Sequence, residues 1–131
     1  MTDKLRFGFF RFSDPTILFF GSAEALSSFR DALLSLKDRS PLRLEEDQRF
    51  ISLNNTKLAI SLGGVERGLH RTKVHSSTFT WRLSEQDLTA ATDKISAVIK
   101  SETPSHHYLE SVTDDLVVVV SKDEYPETFA P

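Results

Sequence analysis

The sequence predicts an α+β fold: a largely antiparallel sheet of about seven strands with two helices on one face, in the order ββαββ-βαββ. Three observations predict it. Two segments, 22–38 and 84–102, repeat apolar residues at helical spacing behind a serine. Seven shorter segments alternate in polarity or run apolar over strand length. The links within strand pairs are short turns, which demand antiparallel neighbours.

The first strand is "KLRFGFFRF" (4–12), which sets Leu5, Phe7 and Phe9 against Arg6, Gly8, Phe10 and Phe12. "SDPT" (13–16) supplies turn chemistry and leads into the apolar "TILFF". In "SAEALSSFRDALLSLKD" (22–38), Leu26, Phe29, Leu33 and Leu36 form one stripe with Ala25 and Ala32 beside them. Ser22 is the expected N-cap, Glu24 lies in the first turn, and Lys37 lies near the end where a cation suits the helix dipole.

"RFISLNNTKLAISL" (49–62) reads as a hairpin, because Asn54 and Asn55 tolerate the positive φ angles of a two-residue primed turn. "STFTWRL" (77–83) points Phe79, Trp81 and Leu83 inward and Thr78, Thr80 and Arg82 outward. "SEQDLTAATDKISAVIKSE" (84–102) is the second helix, with Leu88, Ala91, Ile95 and Val98 on its stripe. Ser84 followed by Asp87 resembles a capping box. "HHYLE" and "LVVVV" make the last pair, joined by "SVTDD".

Residues 38–48, the glycine-bearing stretch 63–77 and the tail "DEYPETFAP" read as irregular. The 131 residues suit one domain, 1–131, with two half-units of similar plan at 16–62 and 77–121. They share almost no residue identities, so a duplication is only suggested.

The absence of cysteine excludes disulfides, a thiolate nucleophile and thiolate metal ligands, which fits a reducing compartment. The longest apolar run, Leu116 to Val120, is far short of a membrane span, and "MTDKLRFGFF" lacks the features of a signal peptide. A cytoplasmic protein is expected, with no membrane partner. A net charge of −3 argues against general nucleic-acid binding and is compatible with a basic protein partner.

"SHHYLESVTDD" (105–115) concentrates the residue types that do acid–base work. If it is a strand with Leu109 toward the core, His107 shares the core side and His106, Tyr108 and Glu110 line the other face. The same trio also describes an ordinary exposed sheet face, so catalysis by His106, Tyr108 and Glu110 is the alternative reading. The binding reading adds the acidic turn residues Asp114 and Asp115. In "GGVERGLHRTKVH", Arg67, Arg71 and Lys73 could hold an anion, although no phosphate-loop spacing is present and a solvated connection is the simpler account. His70 and His75, five apart, suit neither one strand face nor one helical turn, and no HExxH occurs; neither a metal nor another cofactor is expected.

"LVVVV", "FGFF" and "ILFF" put large apolar side chains on both faces of their strands. Two helices cover one face of such a sheet. The apolar remainder predicts a homodimer, a different protein, a bent sheet closing on itself or a small apolar ligand, with protein contact or dimerisation first.

The stretch "HHYLESVTDDLVVVVSKDEYPE" (106–127) resembles the closing hairpin of small bacterial α+β proteins, including immunity proteins of polymorphic toxin and contact-dependent inhibition systems. The resemblance covers about a sixth of the chain. It implies a single-domain cytoplasmic protein that binds and blocks a cognate toxin without catalysis of its own. The expectation is therefore a non-enzymatic bacterial binding protein, an immunity protein or small regulator, acting through an open convex face. The alternative, a small enzyme or ligand-binding domain, requires a pocket of several hundred Å3 beside His106 or Glu110.

Overall fold

Among the described residues nine strands, not seven, are distributed over two mixed sheets rather than one antiparallel sheet. The computed structural model describes residues 4–12, 14–36, 41–63, 67–72, 77–109 and 116–125. Along the chain run β1 (Leu5–Arg11), β2 (Pro15–Gly21), α1 (Ala23–Leu34), β3 (Leu42–Arg43), a 3₁₀ turn (Leu44–Glu46), β4 (Phe50–Leu53), β5 (Lys57–Leu62), β6 (Gly68–Arg71), β7 (Thr78–Leu83), α2 (Glu85–Lys100), β8 (Ser105–Tyr108) and β9 (Val117–Lys122). The five-stranded sheet has the order β4-β1-β2-β9-β8 and the four-stranded sheet the order β3-β5-β7-β6. The α+β class stands; the single seven-stranded antiparallel sheet does not.

The reason lies in the long connections. Pairs joined by a turn or short loop are antiparallel, as in β1 with β2, β6 with β7 and β8 with β9. The joins between those pairs are parallel: β1 with β4, β2 with β9, and β5 with β7. Each spans a helix or a further strand, so turn length imposes no direction there. The strands β3 and β6 fall in segments whose charge and glycine content hid them, and both sit at a sheet edge, where few residues need be apolar.

Asn54 and Asn55 adopt φ of 58° and 54°, as a primed turn requires, yet β4 and β5 do not pair with each other. The polar side chains of the turn take up the end of β1 instead. Thr56 Oγ1 accepts from the Phe9 N–H at 3.0 Å, and Asn54 Nδ2 donates to the Phe9 carbonyl at 3.0 Å. Both backbone groups of Phe9 are thereby satisfied, and the chain passes from one sheet to the other.

The two sheets are built to one plan. One constant spacing carries Arg6 to Gly68, Phe20 to Arg82 and Ser22 to Ser84, and it converts the β1–β2 register into the β6–β7 register. In each half the antiparallel pair runs into a serine-capped helix, and the last strand of that half lies parallel against the other half's pair: β9 on β2, and β5 on β7. The outer strands correspond as well, β8 on β9 matching β3 on β5. The halves therefore exchange strands, and neither sheet belongs to one half.

The helices begin as their serines dictate. Ser22 Oγ accepts from the Ala25 N–H at 3.2 Å. Ser84 and Asp87 close a full capping box, with 3.0 Å bonds in both directions. At Gly21 a Cβ would lie 2.9 Å from the Cβ of Ala25, so a side chain there would push α1 off the sheet.

One core joins both sheets and both helices. Leu5, Phe7, Phe9, Ile17 and Phe19 of the five-stranded sheet meet Leu58, Ile60, Phe79, Trp81 and Leu83 of the other, with Leu26 and Phe29 of α1 and Ile95 and Val98 of α2 completing it. Phe19 stacks on Phe29 at 4.5 Å and on Trp81 at 6.2 Å between ring centroids. The four-stranded sheet is thus the extra cover that two helices could not supply. The cover serves only the inner face. Phe10, Leu18 and Phe20 form a separate apolar cluster on the outer face of the five-stranded sheet. No helix among the described residues is long and apolar enough to cross a membrane.

Candidate functional site: a groove on the outer sheet face

Alternation decides which side chains reach the outer face. The registers align two cross-strand rows there: Leu53, Gly8, Leu18, Val119 and Tyr108, and beside it Ile51, Arg6, Phe20, Ser121 and His106. Gly8 has no side chain to fill its place, and a Cβ there would lie 3.0 Å from the Phe10 ring. Phe10 therefore lies close over the sheet, and Phe12 stacks on it at 5.5 Å. At the other end the chain turns sharply after β9. Asp123 takes a φ of 59° and donates its N–H to the Gly21 carbonyl at 3.0 Å. That turn folds Tyr125 onto Phe20, with ring centroids 5.4 Å apart.

Between these ends lies a solvent-open groove of about 430 Å3. Thr16, Leu18, Val117 and Val119 form its apolar floor, and Phe12, Asp14, His106, Tyr108, Ser121, Glu124 and Tyr125 form its walls. The open convex surface expected of the binding reading is not found here; a concavity of this size lined by His106 is what the alternative ligand-binding reading required. Phe12 is 44% exposed and Tyr108 60% exposed, so the aromatic rim projects into water.

Glu124 is the hub of the polar wall. Its carboxylate accepts from the Ser121 hydroxyl at 2.5 Å, and His106 Nδ1 lies 3.1 and 3.2 Å from its two oxygens. The Tyr108 ring meets His106 edge-on at 6.0 Å. Burial, then the nearby Glu124 and Tyr108, push the Tyr125 phenol up from its usual value, so it is a neutral hydroxyl at pH 7. A serine nucleophile needs the imidazole between hydroxyl and carboxylate. Here the carboxylate stands between hydroxyl and imidazole, and the imidazole cannot take the serine proton. The arrangement is suited to holding a group.

His106 and Tyr108 share the outer face, and the exposed His107 lies on the opposite side, beside Val120 in register. Glu110, Asp114, Asp115 and Lys73 lie outside the described residues. Arg67 and Arg71 have separate engagements. Arg67 grips Asp87 with two bonds of 2.5 Å, and its guanidinium holds that carboxyl down to about 2. The Arg71 guanidinium lies over the rings of Phe9, at 4.7 Å, and Phe79, at 5.5 Å. Among the described residues no group of three or more potential ligands is placed to hold a metal ion.

The sequence reading missed Asp14, Ser121, Glu124 and Tyr125. Ser121 was within reach, since it continues the outward set of Val117 and Val119. Glu124 and Tyr125 were not, because only the turn at Asp123 brings them over the sheet. Comparison of the chain with protein-family models, with curated proteins and with solved structures finds no match in any of the three.

Proposed function

We propose that this chain is a non-enzymatic bacterial binding protein, of the immunity-protein or small-regulator type, whose contact surface is the outer face of the five-stranded sheet. One observation carries the reading. The four-stranded sheet follows the same plan, and at corresponding positions its outer face has Thr80 for Leu18, Arg82 for Phe20, Ala59 for Val119 and Arg43 for Tyr108. The architecture is satisfied by a polar outer face. The aromatic and aliphatic outer face of the sister sheet is therefore not a requirement of the architecture; Phe10, Leu18 and Phe20 are themselves buried there, and the apolar surface left for a partner is that of Phe12, Tyr108 and the groove between them.

A protein suits this face better than a small molecule. A ligand confined to the groove would meet only the groove-facing sides of Phe12 and Tyr108, whereas an apposed protein surface would also cover their outward sides and seal the groove from solvent. The imidazole, carboxylate and hydroxyl of His106, Glu124 and Ser121 then serve as orienting hydrogen-bond groups. The wording of the C-terminal hairpin points to the same class of protein.

The test is site-specific photocrosslinking in the native host, with a benzophenone side chain placed at Tyr108 or at Thr80. We expect one defined adduct from Tyr108 and none from Thr80. Val119→Arg should abolish it while leaving the circular dichroism spectrum unchanged. Equal crosslinking from both faces, or none from Tyr108, refutes the reading. An adduct of two identical chains would replace the foreign partner with a homodimer.

A further inference from the structure

We infer that the groove receives a cationic side chain, a lysine or arginine projecting from the partner protein; this rests on the docking face proposed above and names what enters it. Charge complementarity carries the inference. Among the described residues lining the groove, Asp14 and Glu124 are carboxylates and none is lysine or arginine. On the sister sheet the positions corresponding to Phe20 and Tyr108 are Arg82 and Arg43, so that face carries basic groups where this one carries rings. An anion would meet repulsion from both carboxylates. A cation would meet attraction from both, Glu124 already holding His106 on one side.

The shapes agree with that chemistry. The floor of Leu18, Val117 and Val119 offers an aliphatic bed for the methylene stem of a long basic side chain. The rings of Phe12, Tyr108 and Tyr125 stand at the rim, where their faces attract a passing ammonium or guanidinium. Glu124 is held in place by Ser121 and His106, and a carboxylate with about four acceptor sites can take a further donor. Glu124 is thus the group that would fix the cation, and it has been oriented before the partner arrives. Such pre-organisation lowers the ordering cost of binding.

The experiment is a 15N-resolved NMR titration of the intact chain with capped arginine amide and capped lysine amide. Capped phenylalanine amide and capped aspartate amide serve as neutral and acidic controls. We expect the two cationic probes to shift the amides of Tyr108, Val119, Ser121 and Glu124 with saturable, millimolar affinity that weakens as salt is added. Glu124→Gln should weaken that affinity about tenfold, the worth of one charge-assisted hydrogen bond. Tyr108→Ala should weaken it by a smaller factor while the rest of the spectrum stays in place. Absent shifts, equal shifts from the neutral or acidic probe, or an unchanged affinity in Glu124→Gln each overturn the inference.

The two proposals fail separately. Crosslinking from Tyr108 without binding of the cationic probes leaves the docking face standing and removes the basic side chain. Binding of the probes without crosslinking from Tyr108 makes the groove a site for a free amine, and the assignment to a partner's side chain is overturned.

Discussion

Replacing Phe19 by alanine tests whether the two sheets share one core. Phe19 is fully buried in β2, and its ring lies 4.5 Å from Phe29 of α1, 6.3 Å from Phe7 of β1 and 6.2 Å from Trp81 of β7. Those three neighbours are held by separate hydrogen-bond systems: a helix, one sheet and the other sheet. None can move into the vacated space without pulling its own element, so the cavity stays largely open. Phe→Ala substitutions in cores cost about 3–5 kcal/mol, and poor relaxation places this one near the middle or above, at about 4 kcal/mol. For a chain of this size that corresponds to a fall in Tm of roughly 10–20 °C. The assay is urea unfolding followed in parallel by far-ultraviolet circular dichroism and by the fluorescence of Trp81, the single tryptophan. Both signals should shift together with an unchanged denaturant slope. A loss below about 1.5 kcal/mol, well under the usual range for a buried Phe, would refute the shared junction. So would a Trp81 transition that separates from the backbone transition.

Two further outcomes follow from the same coordinates. Asp87 is held at about 2, against an ordinary 3.8, chiefly by the Arg67 guanidinium and further by the N–H and hydroxyl of Ser84, with burial opposing. A depressed carboxyl contributes its stability above the unfolded value, near pH 4, and loses it as the pH falls from about 4 toward about 2. Asp87→Asn should therefore be less stable than the parent at neutral pH and nearly equal to it at about pH 2, measured by urea midpoints; a constant difference across that range would refute the pairing. Cutting the backbone between Gly63 and Arg67 should leave the two fragments associated, because β2 with β9 and β5 with β7 bind the halves to each other. Gel filtration after cleavage checks this, and a half that gives a dispersed NMR spectrum on its own would contradict the exchange of strands.

How much was legible in the sequence depended on how local the signal was. Ser22 and Ser84 cap their helices because a side-chain oxygen and an N–H three residues on are all the motif needs. Asn54 and Asn55 turn the chain with positive φ for an equally local reason. What those two residues connect was not legible. Thr56 and Asn54 bind Phe9, more than forty positions away, and that contact sends β5 to another sheet. In the candidate site, alternation placed His106 and Tyr108 on one face. Their partner Glu124 reaches them only through the turn at Asp123 and the parallel seating of β9 on β2.

The sequence by itself determined the two capped helices, seven of the strands, and the excess of phenylalanine and valine that one sheet and two helices could not hide. Periodicity and capping act over a few residues, so they are written where they operate. Only the tertiary structure decided that the excess is divided between a shared core and an outer face. It also decided that Leu18 and Thr80, matched in plan, face different environments. The physical reason is that strand pairing across long connections is selected by burial summed over the whole chain, and no short window of residues contains that sum.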